Sequence, residues 1–220
     1  VTFVGIDGCK SGWIAVVLAP DGSVTAHHLP HIEAVTTAVP DAEVIAIDIP
    51  IGLPVAGQRE ADLAAKSFLG PQRNTIFFTP VRSAVEAATH AEATAASVLE
   101  TSKGISQQAF ALAPKILQVE RWLPTAPCRV AEVHPEVSFR ELIGYPIASK
   151  KTWAGMVERR RALAGVGIDL EDIDALAARA AAVDDVLDAA VVAWTAGRIA
   201  AGTARSFPAG ATPADPAIWA

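Results

Sequence analysis

The stretch VTFVGIDGCKSGWIAVVLAPDGSVTAHHLPHIEAVTTAVPDAEVIAID, residues 1–48, decides the fold. Residues 1–7 are apolar and rich in β-branched side chains, residues 13–18 repeat that character, and residues 24–29 repeat it again after a turn at Asp21-Gly22. The links between these runs are short, so the three strands form an antiparallel meander. A short helix over 32–39 ends at Pro40, and a further compact β run over 44–48 ends before Pro50. A right-handed crossover through that helix returns the fourth strand beside the first and parallel to it.

Downstream the pattern turns helical, over 60–69, 81–99 and 106–123 with a kink at Pro114. Residues 129–133 read as a fifth strand, and helices follow over about 152–163, 170–182 and 184–201. The Pro-rich tail, 207–220, reads as mostly loop. A β-β-β-α-β opening is rarer than simple β-α-β alternation. It predicts a ribonuclease-H-like α/β domain spanning 1–220: a mixed five-stranded sheet with residues 1–7 central, and a helical insertion over about 58–123 that overhangs the sheet edge.

With 220 residues, 51% hydrophobic and 19% charged, the chain has material for one substantial core and is not disordered. A net charge of −6 argues against broad binding to duplex DNA, because counterion release needs many clustered Lys and Arg; any nucleic-acid partner is expected to be small or structured. Cys9 and Cys128 have neither the number nor the spacing of a disulfide framework or zinc site, which fits a reducing compartment. The first residues lack a basic segment before their apolar run. The most apolar late stretch, 189–201, carries Arg198 and falls short of the ~18 residues of a membrane span. The expectation is a soluble, cytoplasmic protein with no membrane partner.

Asp7 and Asp48 each end an apolar strand. Parallel neighbours place both carboxylates at the same sheet edge, where they repel each other unless a proton or a cation intervenes. Paired hard oxygen ligands suit Mg²⁺ or Mn²⁺. A lone Asp in such a place is more often a turn or helix cap, and it is the pairing that raises the functional reading. Glu132 lies on the fifth strand, in Glu132-Val133-His134-Pro135-Glu136. Alternation puts Glu132, His134 and Glu136 on one side until Pro135 breaks the strand, and at least one of the two acids is expected at the same edge. His134 serves either as a helix-entry residue or as a general base or water-positioning group, while Glu136 suits the dipole of the helix after Pro135.

The last long helix opens Asp184-Asp185-Val186-Leu187-Asp188. Helix-dipole stabilisation accounts for any one of these acids. Asp184 and Asp188, however, share a face at i,i+4, and three acids on so apolar a helix call for a cation. Asp184 or Asp185 is expected as the ligand, with Asp188 behind it. Acids drawn from separate strands and a helix are what phosphoryl chemistry with ions ~3.5–4 Å apart requires. Lys150-Lys151, Arg59 and Arg73 are the candidates to steady a phosphate, and Arg159-Arg160-Arg161 reads as a solvated surface. A P-loop is excluded because Cys9 stands where glycine is needed in Gly8-Cys9-Lys10-Ser11, and there is no G-x-S-x-G or H-E-x-x-H.

Ordered motifs run through nearly the whole chain: Gly5-Ile6-Asp7-Gly8, Asp48-Ile49-Pro50-Ile51-Gly52-Leu53-Pro54, Gln72-Arg73-Asn74-Thr75, Glu132-Val133-His134-Pro135-Glu136, Lys150-Lys151-Thr152 and Asp184-Asp185-Val186-Leu187-Asp188-Ala189. In these the sequence resembles an uncharacterised bacterial and archaeal family, domain of unknown function family 429, usually described as predicted ribonuclease-H-like nucleases. The resemblance implies that Asp7, Asp48, Glu132 and the Asp184/Asp185 pair are its acidic set; His134 and Lys151, from the residue reading above, are the further catalytic candidates. The leading expectation is therefore a nuclease or other phosphodiester hydrolase dependent on Mg²⁺ or Mn²⁺. The alternatives are a phosphotransferase of the sugar-kinase and actin-like superfamily, which normally needs a duplicated fold, and a non-catalytic binding module.

Overall fold

Burial along the first strand explains its place. In β1 (Thr2–Cys9) nearly every residue is covered on both sides, as a central strand requires. The computed structural model, which describes residues 1–171, 173–174 and 178–220, surrounds β1 with β2 (Gly12–Leu18), β3 (Val24–Leu29), β4 (Ala42–Ile47) and β5 (Arg129–Val133). β1 pairs antiparallel with β2 and parallel with β4, and β4 pairs parallel with β5. The β2–β3 turn is closed where the Ser23 backbone N–H donates to the Asp21 carboxylate at 2.9 Å.

The fold is mixed α/β, but the sheet has seven strands rather than five. Its order is β3-β2-β1-β4-β5-β7-β6. The Pro-rich tail read as loop supplies the extra two, β6 (Ser206–Phe207) and β7 (Ile218–Trp219). Each is too short to show alternation in the sequence, and β7 is held by parallel pairing with Glu132 and Val133.

Helices cover both faces. One face carries α1 (Val35–Ala38) and α6 (Ala113–Trp122), packed on Val4, Ile6, Ile45 and Ile47. The other carries α7 (Pro135–Ile143), α8 (Trp153–Gly165) and α9 (Val183–Ala200), packed on Val16, Ala46 and Val133. Between β4 and α6 lie α2 (Glu60–Leu69), α3 (Arg82–Val85), α4 (His90–Thr101) and α5 (Gln107–Ala111). The helix expected over 81–99 is two helices, because Thr89 and Glu92 form a capping box that starts α4 afresh. The helix expected over 106–123 breaks just before Pro114, in the first turn of α6. The helix expected over 170–182 includes residues outside the described set. Among the described residues no helix is long and apolar enough to cross a membrane.

One contact positions the site. A Cβ on Gly5 would stand 2.0 Å from the Ala193 nitrogen and 2.2 Å from the Ala189 oxygen, so only glycine lets α9 lie directly on β1. The small side chains of Ala189 and Ala193 complete that close approach. The acidic first turns of α9 are thereby brought to the end of β1.

Candidate active site

Register sorts the acids. Ile6, Ile47 and Glu132 stand side by side across β1, β4 and β5 and so point to one face. Asp7 and Asp48 are the next residues along their strands and belong to the other, with the Asp48 N–H held by the Ile6 carbonyl at 2.9 Å. A cleft of about 540 Å³ opens at these strand ends, and Asp7, Asp48, Glu132, Asp185 and Asp188 all line it.

Glu132 belongs to a different unit from the other acids. The Arg59 guanidinium uses all five of its N–H donors: on Glu132 at 2.6 and 2.7 Å, on Asp62 at 2.6 and 3.2 Å, and on the Ile51 carbonyl at 3.0 Å. The Ile51 N–H also donates to Glu132 at 2.7 Å, and the Thr79 N–H to Asp62 at 2.8 Å. Burial raises the Glu132 carboxyl above its ordinary value against the pull of the Arg59 guanidinium. With three donors within 2.7 Å on its two oxygens, the ionised form prevails. Both residues were expected to meet ligands, and here they meet each other: every Arg59 donor is engaged within the protein, and both Glu132 oxygens accept from Arg59.

Asp7, Asp48 and Asp188 form the second unit. Asp7 is buried and accepts the Gly8 N–H at 2.7 Å. Burial first, then the charges of Asp48, Asp188 and Asp185, raise its pKa well above the ordinary carboxylate value. Burial and Asp188 do the same to Asp48. Neither makes an ion pair among the described residues. Asp188, only 2% exposed, is ion-paired to Lys150 through Oδ2, while its Oδ1 is buried with no hydrogen-bond partner among the described residues. Burial pushes Asp188 up to about 6 against the pull of Lys150. Burial alone would favour a neutral Lys150, but Asp188, Asp7 and Asp184 outweigh it and hold the ammonium charged.

The depth of the α9 acids in the cleft differs from the expected order. Asp188 is the innermost, Asp185 lines the cleft but spends an oxygen on the Ala182 N–H at 3.0 Å, and Asp184 lies at the rim, 3.6 Å from the Lys150 nitrogen. The rotational phase of α9 is set by its contact with Gly5, which no local pattern reveals.

Around the acids, Lys151 is exposed and lines the cleft. His134 precedes α7, lines the cleft, and has a buried Nδ1 without a hydrogen-bond partner among the described residues. Burial, then the nearby Lys150 charge, lower its pKa to about 4, so the imidazole is neutral. Gln72, Asn74 and Thr75 overhang the cleft from the segment after α2, but Arg73 is exposed and faces a separate hollow with Lys66 and Phe78. The phosphate contact expected of Arg73 is therefore not made from inside the cleft.

One basic residue departs from its expected place, and another, Lys115, enters the site without a signal in the sequence. Arg159 is not solvated surface; it is fully buried and grips Glu136 with two bonds at 2.8 and 2.9 Å. The available signal was the i,i+4 series Gly155, Arg159, Leu163, all buried on one face of α8. Lys115 of α6 reaches the Gly12 carbonyl, covers the Trp13 ring at 4.2 Å and borders the cleft beside Gly8.

Among the described residues no three His, Cys, Asp or Glu side chains already converge as a ligand group. The donor set nevertheless fits a hard cation: acid oxygens from two strands and a helix, one of them buried and unpartnered. A family model described as "Protein of unknown function (DUF429)" matches residues 5–212. The chain belongs to this family. The match takes in both units of the cleft, from Asp7 to Asp188. No curated protein and no solved structure matches the chain.

Proposed function

We propose that the chain is a metal-dependent phosphodiester hydrolase of ribonuclease-H-like architecture, acting on a small or structured nucleic acid. The supporting strand order is β3-β2-β1-β4-β5, with an antiparallel meander followed by parallel strands. One observation carries the functional reading. Asp7 and Asp48 sit together at the ends of adjacent parallel strands with no ion-pair partner of their own among the described residues. Two such carboxylates raise each other's pKa and are at rest only with a proton or a cation.

Asp7, Asp48 and the free oxygen of Asp188 would hold Mg²⁺ or Mn²⁺. When bound, such an ion activates water and offsets charge on a phosphoryl oxygen. The chain's own groups do the rest. The neutral His134, with a pKa near 4, is too weak a base to take a proton outright, so its unpartnered Nδ1 accepts a hydrogen bond and orients water. Lys151 supplies an exposed ammonium at the cleft to meet phosphate. Asn74 and the remaining amide hydrogen of Gln72 offer neutral donors that read shape rather than charge, consistent with the chain's net charge of −6, while the Thr75 hydroxyl donates to the Gln72 carbonyl at 2.8 Å.

The test is hydrolysis of bis(p-nitrophenyl) phosphate, single-stranded RNA and single-stranded DNA, with and without Mn²⁺. Turnover should require metal, fall to background in Asp7→Asn and Asp48→Asn, and drop about 10²-fold in His134→Gln. Metal binding with no turnover on any substrate would replace the hydrolase with a metal-binding recognition module.

A further inference from the structure

A census of charge in the cleft separates acids that bring their own cation from acids that do not. Glu132 and Asp62 share Arg59. Glu136 has Arg159. Asp188 has Lys150, which also lies 3.6 Å from Asp184. Asp185 accepts a backbone N–H at the start of α9. The other two lysines of the cleft make no ion pair with Asp7 or Asp48 among the described residues: Lys115 bonds the Gly12 carbonyl, covers the Trp13 ring and attracts Asp7 only from a distance, and Lys151 is exposed. The three inner acids, Asp7, Asp48 and Asp188, together with the Lys150 ammonium thus carry a charge of −2, which one divalent ion cancels, while the charges of Asp184 and Asp185 are part-exposed and screened by solvent.

A second observation, independent of the charge, points the same way. Asp188 is 2% exposed and divides its oxygens, with Oδ2 on Lys150 and Oδ1 buried without a partner among the described residues. A carboxylate that bridges two cations has this form. One of those cations is already part of the chain.

We propose that the site takes a single divalent cation, held by Asp7, Asp48 and Oδ1 of Asp188, and that the Lys150 ammonium stands in the place a second ion would fill. This rests on the metal reading above and makes it more specific. Lys150 is then a positioning residue. It fixes Asp188 by one oxygen, neutralises the outer half of the acidic set, and closes that half to metal. The arrangement differs from the two-ion scheme that acids from separate strands and a helix suggest by themselves, because that scheme leaves the lysine out.

The experiment counts Mn²⁺ bound per chain by electron paramagnetic resonance of free Mn²⁺ during titration, with no substrate present. The wild-type protein should saturate at one ion per chain. Lys150→Met, which uncovers Asp188 and Asp184, should bind twice as many ions at saturation, and Lys150→Arg should return the count to one. Two ions in the wild type would overturn the one-ion inference and leave the metal reading standing. None in the wild type would overturn both. A folded Lys150→Met protein, checked by circular dichroism, that still binds one ion would show that Lys150 does not hold a second place. The wild-type count decides the number of ions even if that variant fails to fold.

Discussion

Two groups of acids share one cleft and are built in opposite ways. Glu132 and Asp62 close on Arg59, a side chain 5% exposed with every donor engaged. Asp7 and Asp48 have only the Gly8 N–H and each other's repulsion, with Lys150 turned toward Asp188. The first arrangement pins the segment after β4 to β5 and to the start of α2. Its two carboxylates share one guanidinium and accept further backbone N–H groups, so each has hydrogen-bond partners within the fold. The second is held in place by strands and by the Gly5–α9 contact, not by its own interactions. A buried acid with a resident cation is part of the architecture, whereas one without it stores repulsion that a ligand can relieve.

The largest effect should come from breaking the first group. Arg59→Met leaves two carboxylates in a dry pocket and should lower unfolding free energy by about 3–5 kcal/mol in urea denaturation. A loss below about 1 kcal/mol would mean that the Arg59 unit is not structural. Next in size is Gly5→Ala. Its new methyl would meet backbone atoms of α9 at 2.0–2.2 Å, and the expected loss is about 1–3 kcal/mol. Because this displaces Asp188 but not Arg59, metal affinity should fall along with stability. Unchanged metal affinity would detach α9 from the site.

Asp7→Asn should act in the opposite sense, raising metal-free stability at pH 7.5 by about 0.5–2 kcal/mol. The sign follows from linkage. Asp7 ionises at 3.8 when unfolded and well above that when folded, so the stability its protonated form contributes is complete below 3.8 and lost as pH rises through the folded value. The advantage of the variant should therefore vanish as pH approaches 3.8 in paired melting curves. A variant less stable than wild type at pH 7.5 would mark Asp7 as a structural cap.

The smallest effect concerns His134, whose pKa falls from 6.5 to about 4 on burial. Its contribution is complete above pH 6.5 and lost as pH drops through 4. The stability difference between wild type and His134→Asn should narrow or reverse over that interval, and a difference independent of pH would contradict the buried neutral imidazole.

The central sheet and the Asp7–Asp48 pair were legible because both depend on local pattern: β-branched runs, short links and an acid at each strand end. What was not legible depends on contacts distant in sequence. Arg59 and Glu132 are 73 positions apart, and nothing near either residue announces the other. Glu132 lines the same cleft as Asp7 and Asp48, as expected, but alternation within a strand did not reveal that it faces Arg59, because register between strands decides which residues share a face. Asp188 was ranked behind Asp184 and Asp185 because the phase of α9 comes from its packing on Gly5. The strands β6 and β7, two residues each, carry no period to read.

The measurement that bears most directly on the contrast is thermal melting with and without Mn²⁺ for three proteins: wild type, Asp7→Asn and Glu132→Gln. Mn²⁺ should raise the melting temperature of wild type and of the less stable Glu132→Gln by similar amounts, and leave that of Asp7→Asn nearly unchanged. Equal Mn²⁺ responses in wild type and Asp7→Asn, or a response lost in Glu132→Gln alone, would contradict the assignment of the metal to the acids that lack a cation of their own.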